Sequence, residues 1–123
     1  MNEVYRESGY LLIRGFLNDS EILKLHTVVA EFHRLWQKHN ATYYAQNAVN
    51  SAYLTNQGYL NNRQRQVLFD FIGSDKVMSI VNTLIPEQPC FLNTQLFFNP
   101  VNPKQSNYWH RDPQYHLSLE QQK

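Results

Sequence analysis

One cysteine, Cys90, in 123 residues leaves no possibility of an internal disulfide, so stability has to come from packing, and a reducing cytoplasmic setting is the expectation. Charge is scarce at 17% and almost balanced, with 11 basic against 10 acidic residues. No basic cluster exceeds the loose pair Arg63 and Arg65, which removes the electrostatic footprint that nucleic acid or an anionic membrane surface would demand. Long apolar runs are also missing. The longest is Tyr10 to Ile13, far below the roughly 20 residues of a membrane-spanning helix. Met1 to Arg6 is polar and lacks the basic-then-apolar order of a secretory signal. There are no repeats, no low-complexity tracts, no glycine-rich phosphate loop and no serine-nucleophile elbow. The length excludes a two-domain enzyme, and the expectation is one small soluble domain that binds neither nucleic acid nor membrane.

What is present can fold. Apolar residues make up 42% and aromatics 14% of the chain, enough to bury a core and unlike the composition of disorder. Tyr10-Leu11-Leu12-Ile13, between Gly9 and Gly15, predicts a short buried strand. Asn18 and Glu21 have capping-box spacing, predicting a helix from about Ser20 to Gln37. Its apolar residues Ile22, Leu25, Val29, Phe32 and Trp36 recur every three or four positions, the mark of a single buried stripe. Asn40 to Asn62 is polar and weakly periodic and reads as a long connection, with Tyr43, Tyr44 and Tyr53 packed at its surface or lining a cleft. Val67, Leu68, Phe71 and Ile72 predict a helix over Gln64 to Ile72, Gly73 suits a left-handed cap, and Ser74 caps a further helix through Val77, Ile80, Val81 and Leu84. Phe91 to Phe98 is the strongest strand pattern, and Tyr108 to Asp112 is another, bent or stopped by Pro113.

Chemistry concentrates in Tyr108-Trp109-His110-Arg111-Asp112. On a strand, residues two apart share a face, so His110 and Asp112 can reach one metal ion while Arg111 points away. An imidazole and a carboxylate, joined by a second histidine, form the facial triad that holds non-haem Fe(II) and leaves adjacent positions open. The tripeptide alone is weak: with five histidines and four aspartates in 123 residues, some His-x-Asp arises by chance with a frequency of roughly 0.16. A hydrogen-bonded His-Asp pair near a strand end explains it equally well.

The order of elements and two sequence stretches add weight. Glu7-Ser8-Gly9-Tyr10-Leu11-Leu12-Ile13-Arg14-Gly15-Phe16-Leu17-Asn18 and the segment from Gln95 through Asp112 resemble the N-terminal half of the phytanoyl-CoA dioxygenase family of Fe(II)- and 2-oxoglutarate-dependent oxygenases. The resemblance covers essentially the whole chain. It implies an α+β piece of a double-stranded β-helix (jelly-roll, cupin-like) with backing helices and an incomplete barrel, and the hydroxylation of a small organic or acyl substrate. It also implies that His110 and Asp112 are metal ligands, and that Fe(II) and 2-oxoglutarate are cofactors. Gln95 and Asn99 share the odd-numbered face of their strand with Asn93 and Phe97, and a Gln-x-x-x-Asn pair there is similar to the cosubstrate contacts of ectoine-hydroxylase-like members; pairing with loop backbone is the plainer role for both amides.

The family pattern also requires a distal histidine and an arginine or lysine for the far carboxylate of 2-oxoglutarate, both on strands late in the barrel, and the eleven residues after Asp112 hold no such strands. His116 lies six residues beyond His110, roughly 20 Å along an extended chain at 3.3 Å per residue. His26 and His33 are seven residues apart on the predicted helix, about 10 Å along its axis, too far to share a metal. Cys90 has no neighbouring histidine and reads as a small buried hydrophobe. The expectation is therefore a single partial domain, cut after the His-x-Asp motif, that is inactive alone and prone to self-association through open sheet edges. A catalytically empty remnant or interaction module, and a small cupin-type metal-binding protein, remain alternatives.

Overall fold

A computed structural model of the chain describes residues 2–85, 87–99 and 101. Their order is α1 (Asn2–Ser8), α2 (Asp19–His39), α3 (Ala41–Gln46), β1 (Ser51–Tyr53), α4 (Asn62–Ile72), α5 (Asp75–Leu84) and β2 (Gln95–Phe97). The architecture mixes helix and sheet, with helices dominant and two strands among the described residues.

The long helix starts where the capping-box spacing places it. The Asn18 side chain accepts from the Glu21 N–H at 2.9 Å, and the Glu21 carboxylate accepts from the Asn18 N–H at 2.8 Å, so two of the amides that a helix start leaves unpaired are satisfied. A second box, Asn61 with Gln64, opens α4, two residues earlier than apolar periodicity alone predicts. The buried stripe of α2 is Val28, Phe32 and Trp36, with Leu25 and Val29 packed beside it. Ile22, expected in that stripe, is 49% exposed. Tyr44, Leu60 and Leu68 complete the core; Phe32 and Leu60 are the largest fully buried side chains, each stabilising by roughly 2 kcal/mol from burial alone.

Three local expectations are corrected. Tyr10 to Ile13 forms no strand, and Tyr10 and Leu12 are exposed. Gly9, with φ of 75°, donates its N–H to the Tyr5 carbonyl at 2.9 Å, so it is the left-handed stop of α1 rather than the entrance to a strand. Gly15 turns the chain again at φ 64°, and no described strand lies alongside to supply a ladder. Gly73 closes α4 at φ −85°, not in the left-handed region. A β-carbon there would lie 3.3 Å from the Phe69 carbonyl, so glycine serves close approach at the α4–α5 junction, after which Ser74 caps α5. The polar connection, finally, contains α3 and β1.

β1 and β2 pair antiparallel, with Ser51 opposite Phe97, Ala52 opposite Leu96 and Tyr53 opposite Gln95. The pairing extends past the strand ends, since the Phe98 N–H donates to the Asn50 carbonyl at 2.8 Å and the Leu54 N–H to the Thr94 carbonyl at 3.3 Å. The Thr55 and Thr94 hydroxyls meet at 2.9 Å, satisfying the buried Thr55 side chain. Of the strand predicted over Phe91 to Phe98, Gln95–Phe97 is observed. The strand predicted over Tyr108 to Asp112 lies outside the described residues. Among the described residues, no helix is long and apolar enough to cross a membrane.

Candidate functional site

From Asn93 to Asn99 burial alternates with a period of two: Thr94, Leu96 and Phe98 are half-buried, whereas Asn93, Gln95, Phe97 and Asn99 are exposed. The even residues Leu96 and Phe98 pack against the core, so the pleat turns the odd residues to the opposite side. This is the shared face expected for Gln95 and Asn99. Cross-strand register adds Tyr53 beside Gln95 and Ser51 beside Phe97. The face is uncharged: two amides, a phenol, a hydroxyl and a phenyl ring, with the Asn93 amide at its edge. Neutral N–H donors of this kind can bind a carboxylate oxygen without carrying a charge of their own.

Aromatic packing holds the face from behind. The Phe98 ring lies 4.8 Å from His33, 5.1 Å from Trp36 and 5.6 Å from Tyr44, centroid to centroid, and Trp36 meets Tyr44 edge to face at 5.3 Å. Directly after this wedge, the Tyr44 hydroxyl donates to the Asn99 carbonyl at 2.8 Å. The three tyrosines of the connection therefore differ. Tyr44 is buried in the core, while Tyr43 and Tyr53 are 57% and 50% exposed; surface packing does not describe Tyr44. A signal for Tyr44 existed: Phe32, Trp36, Asn40 and Tyr44 recur every four residues, one stripe continuing from α2 into α3. The Asn40 amide makes the joint, donating to the Trp36 carbonyl and to the Tyr59 hydroxyl, both at 2.9 Å.

His110, Asp112 and His116 lie outside the described residues. Among the described residues no group of three or more His, Cys, Asp and Glu side chains could hold a metal ion. His26 is exposed on the flank of α2. His33 is half-buried, and its Nε2 has no hydrogen-bond partner among the described residues. Cys90 is exposed, not a buried hydrophobe, because it sits in the irregular stretch between α5 and β2 where no described element covers it.

A hollow of about 390 Å³ lies elsewhere, between α2, α4 and α5, with Leu25, Val67 and Phe71 as its apolar floor. Three of its charged residues are engaged internally: Lys76 meets Glu21 at 2.7 Å, and Asp70 accepts from the Gln66 amide at 2.7 Å. The Lys76 hydrogen bond, assisted by the Asn18 backbone, holds the Glu21 carboxyl below the ordinary glutamate range. None of the hollow's lining residues belongs to the strand face, so the two are separate features.

The sequence profile of one family, described as phytanoyl-CoA dioxygenase (PhyH), matches residues 5–122. No curated protein and no solved structure matches the chain.

Proposed function

The chain belongs to the phytanoyl-CoA dioxygenase family, and from that membership we propose that it forms the helix-backed part of a non-haem Fe(II)- and 2-oxoglutarate-dependent dioxygenase hydroxylating a small organic or acyl substrate. On this reading β1 and β2 begin a double-stranded β-helix whose inner wall is the odd-numbered face. Gln95 and Asn99 donate their amides to the oxoacid, and His110 and Asp112 hold the iron. Iron and 2-oxoglutarate together supply the oxidation of a C–H bond by dioxygen, the oxoacid leaving as succinate and carbon dioxide. The chain's own part is to bind and orient: a carboxylate and an imidazole suit Fe(II) with open positions, and the amides fix the oxoacid relative to it.

The observation that carries the reading is the one-sided burial of residues 93–99. A strand with its even face in the core leaves Gln95 and Asn99 together on a face open to a ligand. The reading also needs a second histidine and a basic group for the far carboxylate, which no residue named here supplies, so it casts this chain as one portion of a larger site. A catalytically empty interaction module is the second reading, favoured by Phe97 at 69% and Tyr53 at 50% exposure on the same face.

Anaerobic titration with Fe(II) and then 2-oxoglutarate, followed by iron analysis and charge-transfer absorbance, separates the two. Iron retained by the unaltered chain and lost in His110→Ala and Asp112→Ala, with oxoacid binding weakened in Gln95→Ala and Asn99→Ala, supports the dioxygenase. Iron content indifferent to both ligand substitutions overturns it and leaves the interaction module.

A further inference from the structure

We propose that Tyr44 is a positioning residue for the oxoacid site: its hydroxyl holds the Asn99 carbonyl and thereby sets where the Asn99 amide stands relative to Gln95. The inference rests on the oxoacid role of Gln95 and Asn99 proposed above. Its observation is independent of that role, because Tyr44 and Asn99 are 55 residues apart in sequence and meet at 2.8 Å.

A phenol 6% exposed requires a partner for its hydroxyl, and the partner here is the main chain of a candidate binding residue. Both ends of the contact are held. On the tyrosine side, the Tyr44 N–H donates to the Asn40 carbonyl at 2.7 Å and the Asn40 N–H to the Trp36 carbonyl at 3.0 Å, tying α3 to α2. The ring is fixed between Trp36 and Phe98. On the asparagine side, Phe98 is wedged into that same aromatic group, and its N–H is the last rung toward β1. Asn99 lies past this rung and has no ladder bond of its own among those described, so the Tyr44 hydroxyl substitutes for the missing strand partner. Asn99 also precedes Pro100, which disfavours helical backbone at Asn99. An anchored carbonyl and a backbone kept out of the helical region by Pro100 hold the Asn99 side chain in phase with Gln95, about 13 Å away at 3.3 Å per residue.

Tyr44→Phe removes the hydroxyl and keeps the ring, so the core packing survives. Titrated with 2-oxoglutarate after Fe(II) loading under nitrogen, the variant should bind the oxoacid about five-fold more weakly, the loss of one neutral hydrogen bond, with iron content unchanged. In an Asn99→Ala background the same substitution should cause no further loss. An equal loss in both backgrounds, or none in either, overturns the inference. A chain that binds no 2-oxoglutarate at all overturns the dioxygenase reading itself. The Tyr44–Asn99 link is then decided by the side-chain amide resonances of Asn99 and Gln95. Those of Asn99 should shift and broaden in Tyr44→Phe while those of Gln95 hold, and unchanged Asn99 signals would refute it.

Discussion

The Lys76 ammonium lies 2.7 Å from the Glu21 carboxylate that closes the capping box of α2, so one side chain both starts the longest helix and ties it to α5. Lys76 also sits 5.0 Å above the Phe16 ring, which brings the turn before α2 into the same joint. Glu21 has its pKa lowered by Lys76 and by the Asn18 backbone. A carboxyl whose folded pKa is depressed contributes stability above its unfolded pKa and loses it as the pH falls through the folded value. Melting temperature should therefore decline on the acid side of the ordinary glutamate range, and Glu21→Gln should flatten that limb. Parallel acid limbs in the two proteins would refute the assignment. Asn18→Ala, which removes the cap without touching the charge, should cost about 1 kcal/mol at any pH.

Phe32 and Ile22 lie on the same helix but differ in burial, 0% against 49% exposed. Phe32→Ala opens a cavity between α2 and Tyr59, whose ring meets Phe32 edge to face at 5.5 Å, and should destabilise by about 3–5 kcal/mol. Ile22→Ala should cost about 1 kcal/mol or less. Urea unfolding of the two variants measures the difference; equal losses would restore the stripe that apolar spacing alone suggests.

Legibility in the sequence followed how local each determinant is. The Asn18–Glu21 box, the Ser74 cap and the helix through Phe32 and Trp36 depend on residues within one or two turns, and the chain itself displays them. Tyr10 to Ile13 failed because β-prone residues make a strand only beside a partner, and the glycines on either side mark a helix stop and a turn. The face shared by Gln95 and Asn99 was legible because pleat alternation is a local rule. Tyr44 holding Asn99 was not, because that contact depends on where α3 lies against β2. The assignment of His110 and Asp112 as metal ligands rests on motif and family membership alone, since both lie outside the described residues.

Coupled turnover should be absent from the isolated 123-residue chain. Turnover needs a third protein ligand to orient the iron and a basic group to pair the far carboxylate of 2-oxoglutarate, and no residue identified here supplies either. Succinate formation is the measurement. Release above a metal-only blank, abolished in His110→Ala, would contradict the expectation and direct the search for a third ligand to His116 or to a second chain.

Self-association is the expected solution behaviour. Among the described residues β1 and β2 have no further strand beside them, and an uncovered strand edge presents backbone groups that pair with another chain. Beside those edges Phe97 is 69% exposed, Tyr53 50% and Phe91 51%, apolar surface that a monomer gains by covering. Val28, Phe32 and Trp36 lie in the core rather than on the exposed odd-numbered face, so association through that face should leave the helical signal intact. Sedimentation should accordingly give a mass above the 14.6 kDa of one chain, rising with concentration. Phe97→Lys, which places a charge in the centre of the open face and touches nothing in the core, should shift the population toward monomer without loss of helicity. A clean monomer with cooperative thermal unfolding in the unaltered chain would contradict this. It would mean that the odd-numbered face tolerates water unaided, and the argument that it belongs to the interior of a larger barrel would lose its physical basis.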